Sequence, residues 1–437
     1  MTKKLKWTPL FGVSFQMVVI AMKTIDLLEK YASLIKEKVN DYVFKISHRT
    51  DPKDFTRNSK LGFAAVLLIM LNFKTKSNAL SVYNFAAATE SIELVSRQAY
   101  EAARDKVKSS AFAEIFDDGV RLALLVDDHE TFCGFRLCAI DGSTATMPES
   151  DALAEAYGPT TPVPGKTYAR ISFCADVLNG IILDGKIVNY SIGERRLALE
   201  HVKKGDDPGR LYLFDRGYWD PKLISAMLAK SQSFLMRVAR NAVKAIVESE
   251  SDSGDFVFKH EGDERTLRYY KFELQSGEME YLVTNVGREV IPDSKLPELY
   301  HYRWGVETRY DELKNRMQFG AFSGKTVNTI EQEFYATLVV MNMTAFAIAA
   351  ADVEVKSSRK SKDNKHTYKP NGNMAAGILK DRLIKAIIAD DPKIREKMLD
   401  KLIHDISKHV VPVRPDRHYP RDMPNNRRKK RKRNGPL

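Results

Sequence analysis

From Phe135 the chain changes its period, and that change limits the folds open to it more than any other feature. The runs "FRLCAID", "ARISFCADV" and "GIILDGKIV" are short, β-rich and closely spaced. Asn179-Gly180, between the second and third, supplies two residues that tolerate positive φ, so those runs are expected to form a hairpin. "GERRLALEHV" then reads as a helix and "RLYLFDRGYWD" as a strand closing at Asp215. Asp220-Pro221 opens a further helix, with an acid at the cap and proline at the first helical position. A three-strand meander followed by helix, strand and helix predicts a mixed α/β sheet.

The flanks are organised differently. Before about residue 120 the text is helical: "KLGFAAVLLIMLNF" reads as a buried helix, and "SNALSVYNFAAATE" and "VSRQAYEAARDKVK" as two helices meeting at a tight turn. Ser96 is the expected N-cap of the second. Arg97, Gln98, Tyr100, Arg104 and Lys108 follow on or near one outward face, as in a helix that enters a groove of DNA. The competing reading of that face is an ordinary solvated helix surface. Between Phe234 and Val290 the runs "FLMRVA", "DFVFKHEG", "RTLRYYKFEL" and "EMEYLVTNV" are β-rich again. "FYATLVVMNMTAFAIAAA" then approaches membrane-spanning length, but Asn342 and two threonines interrupt it and a basic linker follows. A buried core helix is expected there, and no membrane span. A short helix from about Met374 and the basic run "RRKKRKR", residues 427 to 433, close the chain.

At 437 residues the chain exceeds one hydrophobic core, and 69 Lys plus Arg against 57 Asp plus Glu leave it at +12. That balance favours a polyanionic partner such as nucleic acid or an acidic membrane surface. Cys133, Cys138 and Cys174 form no C-x-x-C pair, so neither a disulfide framework nor a zinc site is indicated and a reducing cytosol fits. The apolar stretch after Lys6 contains Ser14 and Gln16 and lacks a small-residue cleavage site, so it is not expected to be a signal peptide.

"YHYRWGVETRYDELK", residues 300 to 314, reads as helix. At about 100° per residue, Tyr300, Arg303, Glu307 and Lys314 share one face beside an apolar stripe of Leu299, Val306, Tyr310, Leu313 and Met317. Arg303 and Glu307 stand in the less favourable order for an i,i+4 pair, and Glu307 and Lys314 are two turns apart, so surface pairing explains the charges weakly. Two more carboxylates end strands, Asp141 in "AIDGSTATMP" and Asp215 in "LYLFDRGYWD". Three carboxylates meeting in one cleft repel one another unless cations offset them. Oxygen-only ligation suits Mg²⁺ or Mn²⁺, and two such ions about 4 Å apart serve an in-line phosphoryl displacement. Arg303, Lys314 and Tyr300 would then hold DNA phosphates beside the ions.

Tyr300-x2-Arg303-x3-Glu307-x6-Lys314 resembles the Y-x2-R-x3-E-x6-K signature of bacterial cut-and-paste DDE transposases of insertion sequence family four. "IDGST" and "FDRGY" are similar to that family's first and second aspartate motifs, in the same order. The resemblance implies an RNase H-like mixed sheet with helices, interrupted by a β-strand insertion and preceded by a helical N-terminal DNA-binding domain. It implies Asp141, Asp215 and Glu307 as the catalytic, metal-holding triad, with Mg²⁺ or Mn²⁺, two ions, as cofactor. Double-stranded DNA would be the partner, as terminal inverted repeats and as target, with a homodimer in the synaptic complex and the bacterial cytoplasm, at the nucleoid, as the place of action. Trp304 matches a tryptophan that holds a flipped base in relatives passing through a DNA hairpin. Hairpin-forming relatives use a second tryptophan from the β insertion, but that insertion holds none of the three tryptophans here; Tyr269, Tyr270 or Tyr281 could stack instead, and the competing reading of those tyrosines is strand core.

The expected organisation is a helical N-terminal domain at 1–128 and a catalytic domain split between 129–235 and 291–353. The β insertion occupies 236–290 and the basic C-terminal region 354–437. Two other readings share the fold: an endonuclease that cuts without joining, and a DNA-binding relative that no longer cuts. A glycoside hydrolase would also pair carboxylates, but the phosphate-ready cations around Glu307 fit sugar chemistry poorly.

Overall fold

The computed structural model describes residues 22–413, apart from 58, 73–76, 90–93, 159–164, 275–276, 318, 321, 360–365 and 381. Trp7 and the run 427–433 lie outside the described residues. Six helices come first: α1 (Leu27–Asn40), α2 (Tyr42–His48), α3 (Phe63–Leu71), α4 (Asn78–Thr89), α5 (Arg97–Arg104) and α6 (Ser110–Leu124). Then follow β1 (Arg136–Thr146), α7 (Asp151–Tyr157), β2 (Tyr168–Asp176), β3 (Ile181–Asn189), α8 (Glu194–Lys204), β4 (Arg210–Phe214), α9 (Pro221–Ala229) and β5 (Ser233–Arg237). A short α10 (Lys244–Glu248) leads into β6 (Ser253–His260), β7 (Asp263–Glu273) and β8 (Met279–Thr284). The chain continues through α11 (Leu296–His301), α12 (Trp304–Asp311) and the long α13 (Val327–Arg359). It closes with β9 (Tyr368–Pro370), α14 (Gly372–Leu379), α15 (Arg382–Ile388), α16 (Pro392–Ser407) and β10 (Val410–Pro412).

One mixed sheet of eight strands runs β3-β2-β1-β4-β5-β8-β7-β6. β1, β2 and β3 are antiparallel, with Gly180 at φ +70° in the predicted hairpin turn. β4 and β5 are parallel to β1, as helical crossovers through α8 and α9 require. β8, β7 and β6 extend the same sheet as an antiparallel set beyond β5. Asp220 caps α9 by accepting from Lys222 N at 2.8 Å and Leu223 N at 3.3 Å, and Ser96 Oγ caps α5 by accepting from Ala99 N at 3.2 Å.

The period of two along β2 separates the faces. Phe173 stacks on Phe334 of α13 at 6.2 Å, while Ser172 beside it is bonded to His201 of α8. α13 is thus a core helix: 78% of its most apolar window is buried, and Asn342 bonds the main chain of Ile182 in β3 through both its amide atoms. Cutting Phe334, wholly buried, to alanine would cost about 3–5 kcal/mol.

Two expectations are corrected. Tyr100 and Arg104 do not lie on an outward face of α5; each is only 2% exposed. The Arg104 guanidinium donates to Gln332 Oε1 at 2.8 Å, Ser323 Oγ at 2.8 Å, the Thr329 carbonyl at 2.6 Å and Glu333 Oε1 at 3.0 Å, so its charge is neutralised by α13 and the loop before it and is unavailable to DNA. Among its described residues the C-terminal region holds three helices after α13 where one was expected. α15 and α16 bury Leu383, Ile384, Ile387, Leu399, Leu402 and Ile403, with Asp391 capping α16 ahead of Pro392.

Candidate active site

Strand register brings the first two acids together. In the parallel pair, Ala139 lies beside Leu213, the last paired rung; Asp141 follows two residues on in β1, and Asp215 follows directly after β4 ends at Phe214, so both acids leave the same end of that pair. Asp215 remains extended (φ −79°, ψ 168°), which prolongs the β4 line by that one residue. β4 and β5 pair Phe214 with Met236, and the next step sets Asp215 beside Arg237. Arg237 Nη1 comes to 3.9 Å from Asp215 Oδ1, while its Nε reaches Glu280 at 2.7 Å. Sequence reasoning missed Arg237; a cation closing the buried run "FLM" is the signal that was available.

The third acid arrives on a helix whose winding varies. Residues 300–314 do not form one regular α-helix. Between α11 and α12 the backbone tightens to i→i−3 bonds, from Arg303 N to the Tyr300 carbonyl and from Val306 N to that of Arg303. Beyond α12 it widens into a π-helical turn at Glu312–Arg316. Gly305 permits the dock, because a Cβ there would lie 2.8 Å from Val177 Cβ. Asp141 shares a sheet face with its cross-strand partner Phe173, against which Tyr310 of α12 stacks at 4.6 Å, and Ser143 lies two residues further on that face.

The polar side chains of this face engage one another. Arg303 Nη2 donates to Glu307 Oε1 at 2.8 Å, Tyr300 Oη to Asp215 Oδ1 at 3.4 Å, and Lys314 Nζ to Ser143 Oγ at 2.5 Å. Tyr300 and Arg303 are 7% and 5% exposed, and Arg303 lies over the Trp304 ring at 4.9 Å, with Trp304 itself 40% exposed. Burial lifts the Asp141 carboxyl to about 6; the Gly142 N–H and the Arg303 charge lower it, and the charges of Glu194 and Glu307 raise it. Glu194, a second residue that sequence reasoning missed, opens α8 and covers Gly142, where a Cβ would meet its carboxyl carbon at 2.7 Å.

These donors suit a hard divalent cation. They are carboxylate oxygens, and burial with the charges of Glu194 and Glu307 raises the Asp141 carboxyl, so a bound cation would favour its ionised form. As the side chains are placed, no three Asp, Glu, His or Cys groups among the described residues converge on one ion position. Glu307 is turned to Arg303, and Asp215 accepts from Arg216 N at 2.7 Å.

Elsewhere, Arg97 and Gln98 are exposed at the start of α5, with Arg97 paired to Glu101 at 2.8 Å. Tyr269 is 3% exposed in the β insertion, and Tyr270 stacks on Phe272 at 6.1 Å. Ser172, His201 and Asp184 form a chain of bonds of 2.9 and 2.7 Å that imitates a hydrolase triad, but all three are buried and no substrate reaches the hydroxyl.

Residues 133–343, from just before β1 into the middle of α13, match the family described as Transposase DDE domain. The chain is 24% identical over 346 residues to the transposase InsG of insertion sequence element IS4 from Escherichia coli (strain K12), spanning 73% of this chain and 74% of that relative. A loose likeness links it to the piggyBac transposase in a synaptic complex with hairpin DNA: TM-score 0.43 at 10% identity, over 88% of this chain and 80% of that one. The domain match, the relative and the order of the acidic motifs agree: residues 133–343 resemble a DDE transposase domain, and most of the chain is similar to a transposase of the IS4 type.

Proposed function

We propose that the chain binds the terminal inverted repeats of its insertion sequence, cleaves the DNA ends and joins the 3′-hydroxyls to target DNA, with Asp141, Asp215 and Glu307 holding Mg²⁺ or Mn²⁺. The observation that supports this reading is that Asp141 and Asp215 follow the paired ends of β1 and β4, with Arg237 3.9 Å from Asp215 and the charge of Glu307 on α12 felt by Asp141. The Arg303 charge is felt by Asp141, and the charges of Glu307 and Asp215 by Arg303, so one guanidinium links the three acids. The strand order 3-2-1-4-5 supports an RNase H-like catalytic unit at 129–235 and 291–353, with 236–290 as its insertion. Residues 1–128 and 354–437 then serve DNA binding, through the exposed Arg97 and Gln98 of α5 and through the basic tail. Two ends are held by a homodimer acting at the nucleoid of a bacterial cytoplasm.

Asp141, Asp215 and Glu307 would hold the divalent ions, which would supply the positive charge that favours an ionised attacking oxygen and offsets charge on the departing one. The protein's own groups bind and orient. Asp141 in β1 and Asp215 just after β4 would present their carboxylates from one edge of the sheet to the substrate. Once the acids are neutralised, the Arg303 guanidinium and the Lys314 ammonium are free to hold phosphates of the DNA end, and the Tyr300 hydroxyl to add a hydrogen bond. Linear DNA carrying the element's ends, incubated with Mg²⁺, tests the assignment. Glu307→Gln is expected to bind ends and yield no nicked or joined product, and retained cleavage refutes the role of Glu307.

A further inference from the structure

Three residues beyond Glu307, on the same side of α12, stands Tyr310. Its ring does what an apolar helix position should: it lies on Phe173 at 4.6 Å and 12°, and the residue is 7% exposed. Its hydroxyl does more. It accepts from the Phe173 N–H at 3.1 Å and donates to the Asp141 carbonyl at 2.6 Å. Asp141 and Phe173 are cross-strand partners. Val177 N donates to the Leu137 carbonyl at 3.0 Å and Met147 N to that of Thr167 at 2.9 Å, so the odd-numbered residues of β1 form the hydrogen-bonded pairs. Asp141–Phe173 is one of these. The phenol therefore enters the ladder at the rung that carries the first carboxylate.

Packing alone does not call for this. A phenylalanine would fill the same space, and a buried hydroxyl is costly unless bonded. Apolar contacts let a helix shift or roll by a fraction of a turn, whereas two directional bonds from one oxygen do not. The same carbonyl also accepts from Ser172 Oγ at 3.2 Å, and Ser172 is held in turn by His201 and Asp184 on the opposite face. We propose that Tyr310 is a positioning residue for the transposase reaction: its hydroxyl ties the helix bearing Glu307 to the strand rung bearing Asp141 and keeps the two carboxylates in register for shared metal. The proposal rests on the reading of Asp141 and Glu307 as metal-holding acids.

The test titrates Mn²⁺ alone onto the full chain, counting bound ion by electron paramagnetic resonance, with circular dichroism and DNA-end binding as controls. Tyr310→Phe is expected to keep the spectrum and end affinity while raising the half-saturating Mn²⁺ about two- to tenfold, the scale of one hydrogen bond. Cleavage lost at low Mn²⁺ should return at high Mn²⁺. Phe173→Leu removes the stacking and keeps the hydroxyl, and is expected to lower the melting temperature without moving half-saturation. An unmoved half-saturation in Tyr310→Phe, or an equal shift in Phe173→Leu, overturns the proposal. Should Tyr310→Phe not fold, Ser172→Ala withdraws the other donor to the same carbonyl: a shift in the same direction supports the clamp, and no shift overturns it. Glu307→Gln separates the two levels. If it binds Mn²⁺ like wild type, the metal reading fails; if it weakens binding and Tyr310→Phe does not, only the clamp fails.

Discussion

Asp141 and Asp184 are both largely withdrawn from water, on opposite faces of one sheet, and their surroundings treat them in opposite ways. Burial pushes both carboxyls up. At Asp184 the imidazole of His201 at 2.7 Å, Lys204 at 2.9 Å and Lys186 at 3.8 Å outweigh it and hold the carboxyl well below the usual range. At Asp141 the Gly142 N–H and the Arg303 charge do not suffice, two further carboxylates add repulsion, and the group rises to about 6. A structural acid is thus given its cations by the fold, while the acid at the site is left short of one. That shortage marks where an external cation gains most.

The contrast can be broken by substitution, and the largest effect falls on chemistry. Asp141→Asn should reduce end cleavage at saturating Mg²⁺ by at least about a thousandfold, several kcal/mol of lost charge stabilisation, with end binding retained in a gel-shift assay. Asp184→Asn should do the reverse. It removes the charge facing His201 and Lys204, so about 3–5 kcal/mol of stability is expected to disappear in urea unfolding, and cleavage should follow only the folded fraction. The wild-type contribution of Asp184 is present above the ordinary carboxylate range and fades as pH falls below it, because its folded value is depressed.

A smaller effect has the opposite sign. The folded Asp141 carboxyl lies near 6, above its ordinary 3.8, so the metal-free protein loses stability as pH rises through that interval. Asp141→Asn escapes that loss. In EDTA above pH 7 it should be more stable than wild type by roughly 3 kcal/mol, with the advantage gone below about pH 4. Equal stabilities at neutral pH would mean the charge is compensated after all. The smallest effect is expected at Trp304, which is 40% exposed: Trp304→Ala should change stability by under about 1 kcal/mol. The first nick should persist and later strand steps slow, and an equal loss of both would indicate a packing defect.

Much of the sheet was legible because its signals are local. The runs around Asp141 and Asp215, the Asn179-Gly180 turn and the Asp220-Pro221 cap each declare themselves within a few residues, and the structure has strands, turn and cap there. Arg104 shows where this ends. Its neighbours on α5 look outward-facing, but its partners Gln332 and Glu333 stand 228 and 229 residues away on α13. Arg237 and Glu194 escaped notice for a related reason, since their place beside the acids depends on strand register and on a glycine that admits a side chain. The even stripe drawn from 300 to 314 assumed constant winding, whereas the chain tightens near Arg303 and widens after Asp311. Tyr310, assigned by its period to the apolar stripe, fills that place with its ring and reaches the Asp141 rung with its oxygen.

The central claim is that Asp141, Asp215 and Glu307 act on one shared cation site. Counting Mn²⁺ bound to the full chain without DNA, in wild type and in Asp141→Asn, Asp215→Asn and Glu307→Gln, tests it most directly. Each substitution is expected to weaken binding at least about tenfold, and the double variants to weaken it by less than the product of the singles. Binding as tight in all three variants as in wild type would contradict it.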